Sequence, residues 1–494
     1  MSDIGYSYLK NTLNLSVFKL ARPAKVAPVL SVTLTPEALL VPEKVAPKDN
    51  HPLTHLLFAL KHEGTNLQVL SQALKKIAAQ DLLAAIQAAP TATYVRIACY
   101  LWEAFNKHDL VGAPLISGNS VNLFDPKRYM TGPSVRNAKW RVNFNGLGSL
   151  DYCATVEITP RITALLESKI LQRANEFVSH LGVAASDRAI AWAYLSETKS
   201  SFEIERESAS PSKAEAFVEL LKKAHIISQL DEANLVALQN TVITNHLDLA
   251  SCYRHQQNWL SSALRGAAGV TYIPPPPALV EDLMKGLVAF ANSAPKQIDP
   301  IIAASIISFG FVFIHPFMDG NGRLSRFLFH HALCQSEQLK NGLLLPVSVA
   351  MKRHENEYLT TLKSFSEPVR SMWNVLWIEN DQYEFTFNSD ESIYRFWNAT
   401  ACVEFGLEMA KQALDKDLKE EIEFLSQYDR MYRSINNQYD VRGKDLNILI
   451  LGCIDQKGII SANRRKKFVL TVPTKVFDAI EKAYENEFSA SLFT

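Results

Sequence analysis

The chain has 494 residues with 51 Lys and Arg against 51 Asp and Glu, a formal net charge of zero. That balance excludes a global electrostatic footprint for nucleic acid or an anionic membrane and leaves only local patches to weigh. Hydrophobic residues make up 47%, a globular composition in a chain long enough for roughly two to four domains.

The N-terminal stretch MSDIGYSYLKNTLNLSVFKLARPAK lacks a long apolar run and a small-residue cleavage site, so no signal peptide is expected. Residues 1–50 are rich in Pro, Val and Lys and predict an extended leader with a short strand. Residues 51–185 predict a mostly helical N-terminal domain: LTHLLFALKHE, LQVLSQALKKIAAQDLLAAIQAA and TYVRIACYLWEAFNKH carry helical spacing. KWRVNFNGLGSLDYCATVEITP interrupts them with alternation and Asn-Gly, which predicts a hairpin or irregular β excursion.

Residues 186–380 predict a helical core. It is broken at CYRHQQNWLSSALRGAAGVTYIPPPP, where aromatics, glycines and a terminal proline run predict a loop or β-hairpin closed by a stiff segment. A helical connector is expected over 381–440. Over 441–494, the order helix NILILGCIDQK, turn, basic SANRRKKF, strand VLTV and helix PTKVFDAIEKAYENEF predicts a winged-helix-like module. The apolar run Ile301–Ile314 is too short to span a bilayer and reads as a core helix. The cysteines Cys99, Cys153, Cys252, Cys334, Cys402 and Cys453 are scattered, with neither a zinc-knuckle nor a disulfide pattern. The expected setting is a soluble protein in a reducing cytoplasm.

Directly after that core helix comes HPFMDGNGRLSR, His315–Arg326. Pro316 disfavours continuing the helix through His315, which leaves His315 at a helix end facing a cleft. Gly320, Asn321 and Gly322 permit a tight turn, and RLSRFLFHHALCQ reads as a new helix. A glycine turn opening a helix offers free N–H groups and a positive dipole end to an anion. Arg323 and Arg326, three apart, share a face beside it and can clasp phosphates. Asp319 is an oxygen ligand for Mg²⁺, and His315 a base near neutral pH. The unit reads as phosphate cradle, metal ligand and general base. An EF-hand is excluded by Arg323 at the fifth position and the missing closing Glu, and a P-loop by the absence of GxxxxGK[ST].

The whole string resembles the Fic (filamentation induced by cAMP) motif HPFx(D/E)GNGRxxR, matched at His315, Pro316, Phe317, Asp319, Gly320, Asn321, Gly322, Arg323 and Arg326. The resemblance extends to larger bacterial members through QNW, YIPPPP, MKRHENEYLTTL and IYRFWNATA. It implies a mainly α fold: a Fic helical core with a β-hairpin flap, an N-terminal helical domain and a small C-terminal winged-helix-like domain. It implies transfer of AMP from ATP to a Tyr, Thr or Ser hydroxyl of a target protein, with release of pyrophosphate. His315 would be the catalytic base and Asp319 the Mg²⁺ ligand. Gly320, Asn321, Gly322, Arg323, Leu324, Ser325 and Arg326 would bind the nucleotide, with Tyr358 lining the adenine pocket. The flap, about 254–272, would pin the target segment by strand addition.

Upstream, SSFEIERE (200–207) resembles the family's inhibitory motif (S/T)xxxE(G/N), with Ser201 and Glu205 at the required spacing on a helix of about 190–207. Glu205 would pair with Arg326 and take the guanidinium that should hold the γ-phosphate. Arg206 departs from the pattern, standing where Gly or Asn is expected. Taken alone, EIERE is equally a solvated acidic face; with the full motif downstream, autoinhibition is the favoured reading.

His51, His55 and His62 have tempting spacing, but no acidic or cysteine ligand sits beside them, so capping or surface roles are expected over a metal site. His330 and His331 read as packing or solvent residues. The basic run Arg464, Arg465, Lys466, Lys467 reads as a solvated face or domain contact ahead of a nucleic-acid contact. Two rival functions stand beside adenylylation. One is transfer of another nucleotide or phosphate-linked group, or removal of AMP, on the same scaffold. The other is a DNA-binding regulator with a vestigial Fic core. A homo-oligomer and a DNA contact by the C-terminal module are compatible with the sequence, though no feature carries either; no membrane partner is expected.

Overall fold

The computed structural model describes residues 3–181, 183–208, 210–227, 229–243, 249–339, 342–379 and 382–488, with the side chains of 183–185 excepted. The expected leader is extended only in part, because it opens on helix α1 (Gly5–Thr12). Tyr6 and Leu9 of α1 bury one face in the N-terminal core, and a helix this short forms only with such a partner. Strands β1 (Ala24–Val26), β2 (Thr33–Leu34) and β3 (Leu39–Val41) follow, with β3 central, parallel to β1 and antiparallel to β2.

Helices α2 (Pro52–His62), α3 (Leu67–Lys76), α4 (Ala79–Ala88) and α5 (Thr93–Asn106) lie where the helical spacing predicts them. The histidines of this region have structural work. His51 caps α2, its ring accepting from the Leu53 N–H at 3.3 Å. His55 stacks on Tyr8 with ring centroids 3.7 Å apart, and His62 packs against Phe58 at 4.8 Å. The β excursion is a three-stranded sheet of β4 (Val121–Asn122), β5 (Val135–Asn137) and β6 (Val142–Phe144), then the antiparallel pair β7 (Leu147–Gly148) and β8 (Cys153–Thr155).

The helical core begins with α6 (Pro160–Glu167), α7 (Ile170–Ser179), α8 (Val183–Ile204), α9 (Pro211–Lys223) and α10 (Glu232–Val242). The predicted flap is a short antiparallel hairpin of β9 (Leu260–Ser261) and β10 (Val270–Tyr272). Beyond it run α11 (Pro277–Ser293), α12 (Pro300–Ile314), α13 (Asn321–Gln335), α14 (Val347–Arg353) and α15 (Glu355–Arg370). Helix α12 is apolar on every side and is the buried axis of the core. Its N-cap Asp299 accepts from the N–H groups of Ile301 and Ile302 at 2.9 and 3.1 Å, and Pro300 opens it.

The helical expectation up to about 380 fails at its end. Strands β11 (Trp373–Glu379) and β12 (Gln382–Phe387) form an antiparallel hairpin instead. One face of it, Trp373, Val375 and Trp377 opposite Phe387, Phe385 and Tyr383, has the two-residue period of a strand and is buried at its Trp373 end. Trp259 of the flap packs on Tyr383 at 5.3 Å and Phe385 at 5.2 Å. Helix α16 (Ser392–Arg395) and strand β13 (Phe396–Asn398) follow, and β13 runs parallel to β8, tying the connector to the N-terminal domain. Helix α17 (Thr400–Gln412) continues through a π-turn (Ala413–Leu418) into α18 (Lys419–Asn436).

The C-terminal unit is α19 (Gly443–Asp455), α20 (Ala462–Phe468) and α21 (Thr474–Phe488) around its own core. The expected strand VLTV is a turn, so the wing strand is corrected. The N–H groups of Thr471 and Val472 both return to the Phe468 carbonyl, and Pro473 then leads into α21. β-Branched residues favour a strand only where a neighbouring strand takes their N–H groups. Arg465 pairs with Asp478 at 2.9 Å and Glu481 at 2.7 Å, a contact within the unit. Residues 489–494 of the expected module lie outside the described residues. Among the described residues, no helix is long and apolar enough to cross a membrane.

Candidate active site

Helix α12 stops at His315, whose backbone is left-handed at φ 53°, and Pro316 then blocks a further turn. The loop to α13 is closed by Asn321, whose side chain accepts from Phe317 N–H at 3.0 Å and donates to the Phe317 carbonyl at 2.8 Å. Gly320 caps α13 at φ 83°, a conformation open to glycine at no steric cost. The result places the α12 histidine beside the positive end of α13.

His315 Nδ1 lies 3.2 Å from the Val312 carbonyl. A carbonyl only accepts, so Nδ1 carries the proton and Nε2 keeps its lone pair. Burial pushes the imidazole down to about 4, and Arg254 adds to the fall against an opposing pull from Glu205. His315 is therefore a neutral base at pH 7.

Arg323 and Arg326 are both buried, at 1% and 2% of side-chain exposure. Arg326 donates from Nε to Ser201 Oγ at 2.8 Å, and from Nη2 to the Ser201 carbonyl at 2.7 Å and Glu205 Oε1 at 2.8 Å. Burial alone would lower its guanidinium, but Glu205 and other neighbours outweigh it and hold it above its ordinary value. Arg323 meets Glu207 Oε2 at 2.8 Å and Asp319 Oδ2 at 3.4 Å, with its guanidinium 5.2 Å from the Phe202 ring centre. Arg323 Nε and Arg326 Nη1 are buried without a hydrogen-bond partner among the described residues. Buried donors of this kind are usually taken up by protein groups, ordered water or a bound anion.

The Glu205 carboxylate lies against Gly322, where an added Cβ would meet its Oε1 at 2.0 Å. A negative group thus already sits on the first turn of α13, where a helix favours an anion. Arg206 has φ 59°. Its N–H returns to the Glu203 carbonyl at 3.0 Å and the Glu207 N–H to that of Phe202 at 3.1 Å, the two bonds of a Schellman end. Arg206 thus adopts the conformation that Gly or Asn would take.

Most of the expected site residues meet here. Tyr358 is buried beside Arg326 and stacks on Phe405, its ring centroid 5.7 Å away. Ser325 Oγ donates to the Gly322 carbonyl at 2.7 Å, and Leu324 is buried in the core with its N–H on the Gly320 carbonyl. Asp319 faces the cradle, one oxygen accepting from the Gly320 N–H at 2.6 Å. Among the described residues, no three His, Cys, Asp or Glu side chains cluster as a metal cage.

Sequence reasoning missed several participants. Arg254 bonds the carbonyls of His315, Gln256 and Pro275 at 2.8, 3.0 and 2.6 Å, while Asn258 Nδ2 holds that of Phe317 at 3.0 Å. These two pin the base of the flap to the motif. Buried Glu197 of α8 accepts from His330 Nε2 and Ser348 N at 2.7 Å each, and from Ser348 Oγ. That contact docks α8 on the core and gives His330 a role that packing alone did not suggest. Glu207 was visible two residues beyond Glu205, but no spacing rule pairs it with Arg323.

Residues 229–333 match the model of the Fic/DOC family. This stretch resembles the Fic/DOC family. A stretch of 99 residues is 35% identical to a probable protein adenylyltransferase of Aquifex aeolicus (strain VF5), covering 20% of this chain and 28% of that protein. The chain thus spans little more than a quarter of that curated relative. A solved Fic family protein from Desulfovibrio desulfuricans G20 aligns with a TM-score of 0.39 at 17% identity, over 64% of this chain and 95% of that one. Fic-1 from C. elegans aligns with a TM-score of 0.35 at 14% identity, over 76% and 92% of the two chains. The matched residues contain His315 and the whole cradle, while Ser201 and Glu205 reach it from outside them.

Proposed function

We propose that this protein is an adenylyltransferase that moves AMP from ATP to a Tyr, Thr or Ser hydroxyl of a target protein, and that Glu205 holds it inhibited. The observation that carries this reading is the carboxylate of Glu205 seated on Arg326 and on the α13 N-terminus. A site that binds a carboxylate there suits an anion, and the buried guanidiniums of Arg323 and Arg326 both already hold carboxylates.

In the proposed reaction the target hydroxyl oxygen attacks the α-phosphorus of ATP while His315 Nε2 takes its proton. The bond from the α-phosphorus to the bridging oxygen breaks and pyrophosphate leaves. The N–H groups of the α13 first turn, with Arg323 and Arg326, hold the phosphate oxygens, so catalysis is positioning and electrostatics. The partly exposed carboxylate of Asp319 fits Mg²⁺, which is commonly held by one or two carboxylates together with substrate phosphates. When bound, the metal offsets charge on the phosphates. The flap edge would receive the target as an added strand, held at the right height by Arg254 and Asn258.

The test is incubation with labelled ATP and Mg²⁺, comparing the unsubstituted protein, Glu205→Gly, and Glu205→Gly with His315→Ala. Label should rise with Glu205→Gly and vanish when His315 is also replaced. Three dark proteins that accept label from another nucleotide donor would overturn AMP transfer.

A further inference from the structure

We infer that Glu207 is a second inhibitory carboxylate, holding Arg323 as Glu205 holds Arg326, so that a nucleotide gains the full cradle only when both acids leave. This deepens the proposed function and rests on it.

The geometry begins at Arg206. In a helix continuing past Ile204, residues 205 and 207 would stand about 200° apart around the axis and could not both face α13. The left-handed residue between them reverses the chain. Glu205 then reaches Arg326 and Glu207 reaches Arg323, each at 2.8 Å. The two acids, two apart on a turn, meet two guanidiniums three apart on one helical face.

Arg323 is the more enclosed of the pair. Phe202, one turn earlier on α8, lies under its guanidinium at 5.2 Å, and Phe202 in turn packs edge-on against Phe217 at 5.6 Å. One terminal nitrogen is on Glu207, the other is near Asp319 at 3.4 Å, and Nε has no partner among the described residues. Phosphate oxygens approaching Arg323 must displace Glu207 to make a paired contact. Charge works in the same direction, because Glu207 adds a second negative group at the positive end of α13. Removing Glu205 alone therefore leaves half of the cradle occupied.

The Glu207 amide bonds the Phe202 carbonyl at 3.1 Å, and Glu207→Gln keeps that backbone cap while removing the charge. Four full-length proteins would be titrated calorimetrically with a non-hydrolysable ATP analogue and Mg²⁺: unsubstituted, Glu207→Gln, Glu205→Gly and the double variant. Glu203→Gln, which changes a neighbouring acid that pairs with Lys199 at 3.8 Å, controls for net charge. Glu207→Gln alone should gain little while Glu205 holds Arg326. The double variant should bind about tenfold more tightly than Glu205→Gly, the yield of one charge-assisted contact recovered by the ligand. Analogue binding that grows with Glu205→Gly and no further with added Glu207→Gln would overturn this inference alone. A gain of the same size from Glu203→Gln in the Glu205→Gly background would overturn it too, as a net-charge effect. If the analogue binds none of the proteins, the proposed function falls and this inference with it.

Discussion

Replacing Arg206 by glycine should tighten the closed state. The left-handed backbone at φ 59° costs an L-residue roughly 1–2 kcal/mol, a penalty glycine escapes. Glycine also widens the unfolded ensemble, which returns about 0.4–1 kcal/mol. Exposed Arg206 lends Glu355 a weak favourable charge, a surface attraction whose loss matters little. The balance is a gain of about 0.5–1 kcal/mol, a two- to fivefold shift toward the docked helix end. Hydrogen exchange reads it directly, because the amides of Arg206 and Glu207 carry the two capping bonds. Their exchange should slow two- to fivefold in Arg206→Gly, and apparent nucleotide affinity should fall by a similar factor. Faster exchange, with tighter nucleotide binding, would refute the reasoning and show that the arginine side chain, not the backbone turn, holds the end in place.

The neutral state of His315 predicts an unusual acid limb. With the imidazole held down to about 4, label transfer by Glu205→Gly at saturating nucleotide should stay level from pH 8 to about 5.5, where a base at its ordinary value would have lost roughly nine-tenths of its activity. Loss of Glu205 removes a pull that raises His315, so the variant cannot create a higher limb; half-loss near pH 6.5 would contradict this placement. The same depressed value means the unfolded chain binds a proton that the folded chain refuses, so stability falls as pH drops from about 6.5 toward 4. Glu197→Ala should lower stability by about 3–5 kcal/mol, since it orphans the buried donors of His330 and Ser348. Urea denaturation measures this, and a loss below about 1 kcal/mol would mean those donors find other partners.

Much of the site was legible because its chemistry lies in one contiguous stretch. The order helix, histidine, proline, glycine turn, helix determined by local rules alone that His315 ends one helix and Gly320 starts the next. The spacing of Arg323 and Arg326 put them on one face, and Ser201 with Glu205 fell one turn apart on a helix. Local rules failed where a partner far along the chain decides the outcome. VLTV has strand composition but no neighbouring strand among the described residues, so the N–H groups of Thr471 and Val472 close a turn on Phe468. The β11–β12 hairpin follows a helical region and is stabilised by Trp259 of the flap. Helix α1 exists because α2 covers it, and Glu197 finds His330 across 133 residues.

Arg206 shows both kinds of determination. Its identity argued against a glycine-like end, because a side chain makes φ above zero costly. The docked acids on either side hold that end, and ion pairs with Arg323 and Arg326 outweigh a local cost of about 1–2 kcal/mol. Sequence determined which groups could meet, through periodicity, turn chemistry and charge. Tertiary structure alone decided which did, because pairing two acids with two buried guanidiniums depends on the relative position of helices α8 and α13, a packing relation no local rule contains.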